Sequence, residues 1–243
     1  MLEARGITKA FGSFKAVDDA SVTVAADEVL GLIGPNGAGK STFFNCLTGD
    51  LPPSAGTVWL EGADITQLPA ERRAALGLAR SFQVPLTFAD MTVLDNVMVG
   101  AFLRTPHPGE ARDRAAAVIE RVGLAAQRHA LASSLGTPGR KRLEIARALA
   151  TQPKILLLDE AMAGLNPPEV RQAIDLVGRI HADGITLVIV EHIMEVIITL
   201  AQRVVVFHQG QVIAAGSPRE VMREARVVEA YLGKRAAAAA AAR

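Results

Sequence analysis

Gly34-Pro35-Asn36-Gly37-Ala38-Gly39-Lys40-Ser41, with Thr42 behind it, fits the phosphate-binding loop pattern at every specified position. Working outward, Val29-Leu30-Gly31-Leu32-Ile33 is an apolar run short enough to be a buried strand, and Thr42 to Leu47 can open a helix. Strand, glycine-rich turn and helix in that order are the context the motif requires. Backbone N–H groups of such a turn, with the positive end of the following helix, form a concave anion site. Side chains at the glycine positions would block both the backbone angles and the approach of a phosphate. Lys40 supplies a mobile charge for the β- and γ-phosphates, and the Ser41 hydroxyl can ligate Mg2+. A nucleoside triphosphate is the expected ligand.

With 243 residues, the chain can hold one large domain or a core carrying an inserted subdomain. Its formal net charge of +1 argues against a nucleic-acid protein that works by bulk electrostatics. Half of the residues are apolar, yet the run Ile185 to Val190 stops at Glu191-His192, well short of the ~18 residues of a membrane span. Short, strongly apolar runs suggest strands buried on both faces, as in a parallel sheet covered by helices. No basic-then-apolar leader is visible, so a secretory signal is not expected. The single cysteine, Cys46, sits among Phe43, Phe44 and Leu47 and reads as a core residue in a reducing compartment.

Residues 2 to 27 alternate apolar and polar positions around a turn at Gly12-Ser13, which predicts antiparallel strands. Thr57 to Leu60 followed by Glu61-Gly62 reads as a strand and turn, and Glu71 to Leu78 as a short helix. Residues 86 to 150 are helical in pattern, interrupted by a loop at Thr105-Pro106-His107-Pro108-Gly109. Ile155 to Leu158 is the next buried strand. Asn166-Pro167-Pro168-Glu169 carries a cap, first-turn proline and a glutamate three residues on, and Ser217-Pro218-Arg219-Glu220 repeats that signal for the final helix. Val204 to Phe207 and Gln211 to Ala214 flank Gln209-Gly210 as a hairpin. Ala236 to Ala242 is a low-complexity tail.

Phosphoryl transfer needs the metal held and the attacking water oriented. Asp159-Glu160, at the end of the run Ile155 to Leu158, supplies both: Asp159 to hold Mg2+ directly or through water, Glu160 to polarise the water. Adjacent carboxylates after a strand can also be ordinary solvated charges. The phosphate loop earlier in the chain tips the balance, because open α/β sheets gather ligands at strand ends. His192 follows the strand Ile185 to Val190 and falls at a third such end. Gln83, in Ala79-Arg80-Ser81-Phe82-Gln83-Val84-Pro85, carries little weight alone.

Taken in this order, these residues resemble the ATP-binding subunits of ABC transporters from about Leu2 to Leu232. The resemblance implies an α/β fold: a P-loop NTPase core with a mainly parallel sheet, an N-terminal antiparallel β-subdomain and an inserted α-helical subdomain. It implies a single ATPase domain over 1–235, with the helical part at about 86–150 and the tail at 236–243. Gly34, Asn36, Gly37, Ala38, Gly39, Lys40, Ser41 and Thr42 match the Walker A loop, and Asp159-Glu160 the Walker B aspartate and catalytic glutamate. Gln83 matches the Q-loop glutamine, His192 the switch histidine and Ala163-Gly164-Leu165-Asn166 the D-loop. Lys40, Glu160 and His192 would then serve catalysis, and Ser41, Gln83 and Asp159 the Mg2+ of bound ATP. Phe11 falls where the family stacks an aromatic ring on adenine, although an inward-facing strand aromatic fits the spacing equally. Arg80-Ser81-Phe82-Gln83, Met91-Thr92-Val93-Leu94-Asp95-Asn96, Arg142 to Leu149 and Ala230-Tyr231-Leu232-Gly233 look most like importers of branched-chain amino acids and related amides. The implied partners are a second ABC ATPase subunit, as homo- or heterodimer, transmembrane permease subunits and, indirectly, a solute-binding protein. The implied location is the cytoplasmic face of the membrane.

One stretch departs from the pattern. Where the family reads LSGGQ, this chain has Leu135-Gly136-Thr137-Pro138-Gly139, then Arg140-Lys141-Arg142. In the family that loop reaches across a head-to-tail dimer to the γ-phosphate on the partner. Gly136 lacks the hydroxyl and Pro138 the N–H, at ~1–3 kcal/mol per charged hydrogen bond. A branch that tolerates the altered loop and a heterodimer subunit with one poor composite site are both compatible with it. The three basic residues have no interleaved aromatics, so a solvated face or partner contact is expected rather than nucleic acid. A non-transport ABC ATPase is the competing class, but the chain lacks the second ATPase unit or long coiled-coil insert of such relatives. No Asn-Lys-x-Asp guanine-reading motif is present either.

Overall fold

The computed structural model describes residues 1–82 and 86–232. Gln83 and the Ala236 to Ala242 tail lie outside the described residues. Along the chain come β1 (Leu2–Phe11), β2 (Phe14–Val24), β3 (Val29–Ile33), α1 (Lys40–Thr48), β4 (Ala55–Leu60), β5 (Ala63–Asp64), α2 (Ala70–Ala75) and β6 (Leu78–Arg80). Then follow α3 (Val93–Ala101), α4 (Pro108–Arg121), α5 (Thr137–Ala150), β7 (Ile155–Asp159), α6 (Pro167–Ala182) and β8 (Thr186–Val190). The chain ends through α7 (Met194–Leu200), β9 (Arg203–His208), β10 (Gln211–Gly216), α8 (Pro218–Val221) and α9 (Ala225–Leu232). Among the described residues, 1–70 with 187–232 form one compact unit, and 71–82 with 86–186 a second.

In the first unit the alternation of residues 2 to 24 becomes the hairpin β1–β2, paired from Leu2↔Val24 to Phe11↔Phe14 with register shifts between Ala4 and Ile7, Ile7 and Lys9, and Lys9 and Ala10. β4 pairs antiparallel on the other side of β1 and β5 extends it. The apolar set Leu2, Ala4, Ile7, Val17, Ala20, Val22 and Val24 is buried, as a period-two pattern on a one-sided sheet requires. β3 instead has parallel neighbours on both sides, β8 through Leu32↔Val190 and β9 through Ile33↔Val206. All five of its residues are buried, so a continuous apolar run is the sequence that suits it. β10 closes this sheet antiparallel to β9. Alternate residues of β9 serve opposite faces: Val204 and Val206 join Ile33, Ile197 of α7 and Val227 of α9 in one cluster. Phe207 points the other way, its ring centroid 5.0 Å from that of Phe43 on α1.

In the second unit β6 and β7 run parallel with Leu78↔Ile155 and Arg80↔Leu157 in register. α6 starts with the complete capping box read in the sequence: Asn166 accepts from the Glu169 amide and the Glu169 carboxylate from the Asn166 amide. Three local readings change. The helix expected over 71–78 ends at Ala75, and Leu78-Ala79-Arg80 is a strand, held by its pairing to β7 rather than by its own propensity. Pro108-Gly109, read as loop, form the first turn of α4, where proline's fixed φ and missing N–H cost nothing. The helix opened by Ser217 ends at Val221, and a separate helix begins at Ala225. Among the described residues no helix is long and apolar enough to cross a membrane.

Candidate nucleotide-binding and hydrolysis site

β3 delivers the chain straight into the phosphate loop. Gly34 has φ +150°, and a Cβ there would lie 2.2 Å from the carbonyl oxygen of Phe207, so only glycine fits. Gly39 caps α1 at φ +100°, where a Cβ would come within 2.3 Å of the Ala16 carbonyl. No side chain caps α1, which leaves its first amides to an anion. Lys40 is buried to 6% exposure, and its ammonium donates to the carbonyls of Gly34 at 2.7 Å and Pro35 at 3.0 Å. The loop thus holds a positive charge over its own turn. Ser41 is exposed, Thr42 half-buried, and Asn36 and Gly37 are exposed at the crest of the loop. The β9–β10 turn fastens it from outside: the Gly210 amide donates to Ala38 O at 2.9 Å, and Gly210 O accepts from Asp18 N at 2.8 Å.

Two more predicted residues belong to this unit. His192 lies two positions beyond β8, exposed, at the same sheet edge as Gly34, because β3 and β8 are parallel neighbours. Phe11 sits at the β1–β2 turn, 52% exposed, with the Lys9 ammonium 5.5 Å from its ring. An exposed aromatic beside a cation is free to stack on a base, and the inward-facing alternative does not hold. Tyr231 of α9 was not foreseen. Its hydroxyl meets the Gly34 amide; burial pushes its pKa up, and that hydrogen bond pulls the other way.

The second unit carries the acidic pair. Asp159 ends β7 with 4% exposure. Its Oδ2 accepts from Arg80 Nη2 at 3.0 Å, and its amide makes a long 3.4 Å contact to Ser81 Oγ. Glu160 takes the left-handed conformation, φ 47°, rare for a residue with a side chain. Its carbonyl accepts from Lys141 Nζ at 3.1 Å and from the Ala163 amide at 3.1 Å. Lys141 is therefore a buried residue of α5 that fixes the Glu160 turn, not part of a solvated basic face. Its neighbours are tied down too, Arg140 to Leu135 O and Arg142 to Gln172 Oε1, each at 2.7 Å. Gly136 is the N-cap of α5 without a side-chain cap bond, and Pro138 sits in the first turn. Glycine is a tolerated N-cap and proline suits the first turn, so the departure from LSGGQ leaves the helix start intact.

The chain on either side of Gln83 is held by α5. The Glu144 carboxylate accepts from the amides of Phe82 and Leu86. Arg147 donates to the Leu86 carbonyl and stands 4.8 Å from the Phe88 ring. Burial raises the Glu144 pKa, with Arg147, those amides and Lys141 opposing. Neither Arg80 nor Lys141 was assigned a role from sequence. The signal for Arg80 is its place at a strand end three residues before Gln83, and no strand is read there: the helix expected to Leu78 takes the first strand residue and leaves Ala79-Arg80 without an element.

The Ser41 hydroxyl in the first unit and the Asp159 carboxylate in the second are each hard oxygen donors of the kind Mg2+ accepts. Among the described residues no cluster of three His, Cys, Asp or Glu preforms a metal cage.

Fold and loop together define a P-loop nucleotide-binding α/β protein. The ABC transporter family model matches residues 17–163, and a branched-chain amino acid ATP-binding cassette transporter model matches residues 211–237. The chain belongs to the ABC transporter family, as an ATP-binding subunit whose ATPase activity is coupled to transport. It is 39% identical to the high-affinity branched-chain amino acid transport ATP-binding protein LivG of Salmonella typhimurium, over 96% of this chain and 98% of that one. It is 35% identical to the lipopolysaccharide export system ATP-binding protein LptB of Escherichia coli, covering 96% of this chain and 97% of LptB. The ADP conformation of MJ1267, an ATP-binding cassette of an ABC transporter, superposes with a TM-score of 0.87 at 33% identity, covering 96% of this chain and 99% of that one.

Proposed function

We propose that the chain powers an importer of branched-chain amino acids or related amides, hydrolysing Mg2+-ATP on the cytoplasmic face of a membrane. The observation that carries this reading is the end-to-end likeness to LivG, supported by the matching C-terminal family model. The likeness to LptB is lower at 35%, so export of lipid is the weaker reading. In this reading residues 1–235 act as one ATPase domain, with 86–150 as the part that meets the permease. A second ATPase subunit, permease subunits and, through them, a solute-binding protein complete the machine.

ATP would lie on Gly34 to Thr42, its adenine on Phe11. Lys40 would exchange the Gly34 and Pro35 carbonyls for phosphate oxygens, moving its charge to where negative charge builds up. Ser41, Asp159 and Gln83 would hold Mg2+, which would supply positive charge against the phosphates. Glu160 would orient the attacking water and His192 would donate to the γ-phosphate. Residues 135–139 would meet the triphosphate on the partner subunit.

The test is purification of this chain with the membrane proteins that bind it, reconstitution in vesicles, and uptake of labelled leucine driven by enclosed ATP. Uptake of leucine, isoleucine, valine or an amide analogue supports the reading. A complex that hydrolyses ATP but moves only lipopolysaccharide outward overturns it.

A further inference from the structure

The carboxylate assigned to the metal is already engaged by a cation of the protein itself. Arg80 Nη2 lies 3.0 Å from Asp159 Oδ2, and the two side chains are only 10% and 6% exposed. A nearly dry ion pair is screened little by water or salt, so its attraction is far stronger than that of a surface pair. The sheet sets the geometry. β6 and β7 are parallel with Arg80 opposite Leu157, so the arginine reaches two residues along its neighbour to the end of the strand.

The same guanidinium also touches the chain that follows it. Its carbon lies 4.6 Å from the centre of the Phe82 ring, and Nε donates to the Ser81 carbonyl at 3.4 Å. Ser81 and Phe82 lead directly to Gln83. Arg80 is thus in contact at once with Asp159 and with the residues before the glutamine.

We propose that Arg80 is a positioning residue that competes with the divalent cation for Asp159, so that metal capture loosens Arg80 and with it the Ser81–Phe82 segment. This rests on the reading of Asp159 as the metal carboxylate. A guanidinium and a divalent cation on one carboxylate repel each other, so each weakens the hold of the other. Arg80 thereby makes the arrival of metal-loaded nucleotide, rather than nucleotide alone, the event felt ahead of Gln83. Such linkage is reciprocal: whatever draws Arg80 off Asp159 must tighten the metal.

The experiment uses the full chain saturated with adenylyl imidodiphosphate, Mn2+ binding read by electron paramagnetic resonance, and amide exchange over residues 80–82 read by mass spectrometry. Arg80→Met should tighten Mn2+ by on the order of tenfold, a typical coupling between linked sites. Arg80→Lys, which keeps the charge, should stay close to the wild type. Nucleotide affinity in EDTA should be the same for all three. In the wild type, Mn2+ should speed exchange over residues 80–82; in Arg80→Met exchange should be fast with or without it. If Arg80→Met folds poorly, Arg80→Gln carries the same expectation. Unchanged or weaker Mn2+ binding in the charge-free variants overturns the proposal and leaves Arg80 as structural support. Asp159→Asn separates the two ideas: if it leaves Mn2+ affinity intact, the metal assignment itself fails, whatever Arg80 does.

Discussion

Lys141 Nζ donates to the backbone carbonyl of Glu160 at 3.1 Å, joining the first turns of α5 to the residue assigned to the attacking water. Glu160 is held in a left-handed conformation, which persists only where surrounding bonds over-determine it. Lys141→Met keeps the stem and deletes the donor. Turnover should fall by roughly tenfold to a hundredfold, the scale of a small misplacement at a reacting centre, with nucleotide affinity unchanged. Steady-state ATPase assays beside equilibrium nucleotide binding give both numbers; equal turnover would show that the turn holds itself.

Glu160→Gln is isosteric and keeps the backbone bonds to Lys141 and Ala163. Loss of the base should lower turnover by on the order of 10²–10⁴-fold while ATP still binds. Single-turnover hydrolysis read by phosphate release is the direct check, and full activity would remove Glu160 from the chemistry.

Lys40 is held over the loop by two carbonyls, so its charge is already in place for an arriving phosphate. Lys40→Ala should abolish ATP binding in an equilibrium filter assay. Fluorescent ATP bound as tightly as by the wild type would contradict the loop assignment.

The parts of the molecule legible in the sequence were those where one residue type has one physical use. Gly34 has no alternative against the Phe207 carbonyl, and β3, β7 and β8 are buried on both faces, so unbroken apolar runs betray them. Leu78-Ala79-Arg80 was hidden because a three-residue strand owes its existence to its neighbour, while its Ala and Arg suit a helix. α7 went unassigned because Val196-Ile197-Ile198-Thr199 is a β-branched run, and packing of Ile197 in the cluster with Ile33 overrides propensity. Lys141 was misread for a related reason: the sequence shows a charge, and only the packing of α5 shows the carbonyl it serves.

Pro138 occupies the first turn of α5, where a residue with an N–H would fit as well. Pro138→Gly therefore restores a donor with little penalty to the fold. If residues 135–139 meet the triphosphate of a partner, half-saturation by ATP should fall by about tenfold, within the range of a hydrogen bond to a charged group. Comparison of the chain alone with the chain beside a partner ATPase distinguishes a homodimer from a heterodimer. An unchanged ATP dependence in both would show that this loop does not reach phosphate.

Burial raises the pKa of Glu144, and Arg147, the amides of Phe82 and Leu86, and Lys141 recover only part of the cost. A carboxyl whose folded pKa lies above its unfolded value favours folding below the unfolded pKa. That contribution is lost as pH rises through the folded pKa. At neutral pH the charged form is thus a burden on the fold that the protonated form is not. Glu144→Gln keeps an acceptor for one amide and removes the charge, at the loss of the 3.5 Å pair with Arg147. The stability difference between variant and wild type should therefore favour the variant more at pH 7 than near pH 5. Thermal melts of both proteins across that interval measure it. A difference that stays constant, or moves toward the wild type as pH rises, would show that Arg147 and the amides compensate the buried charge in full.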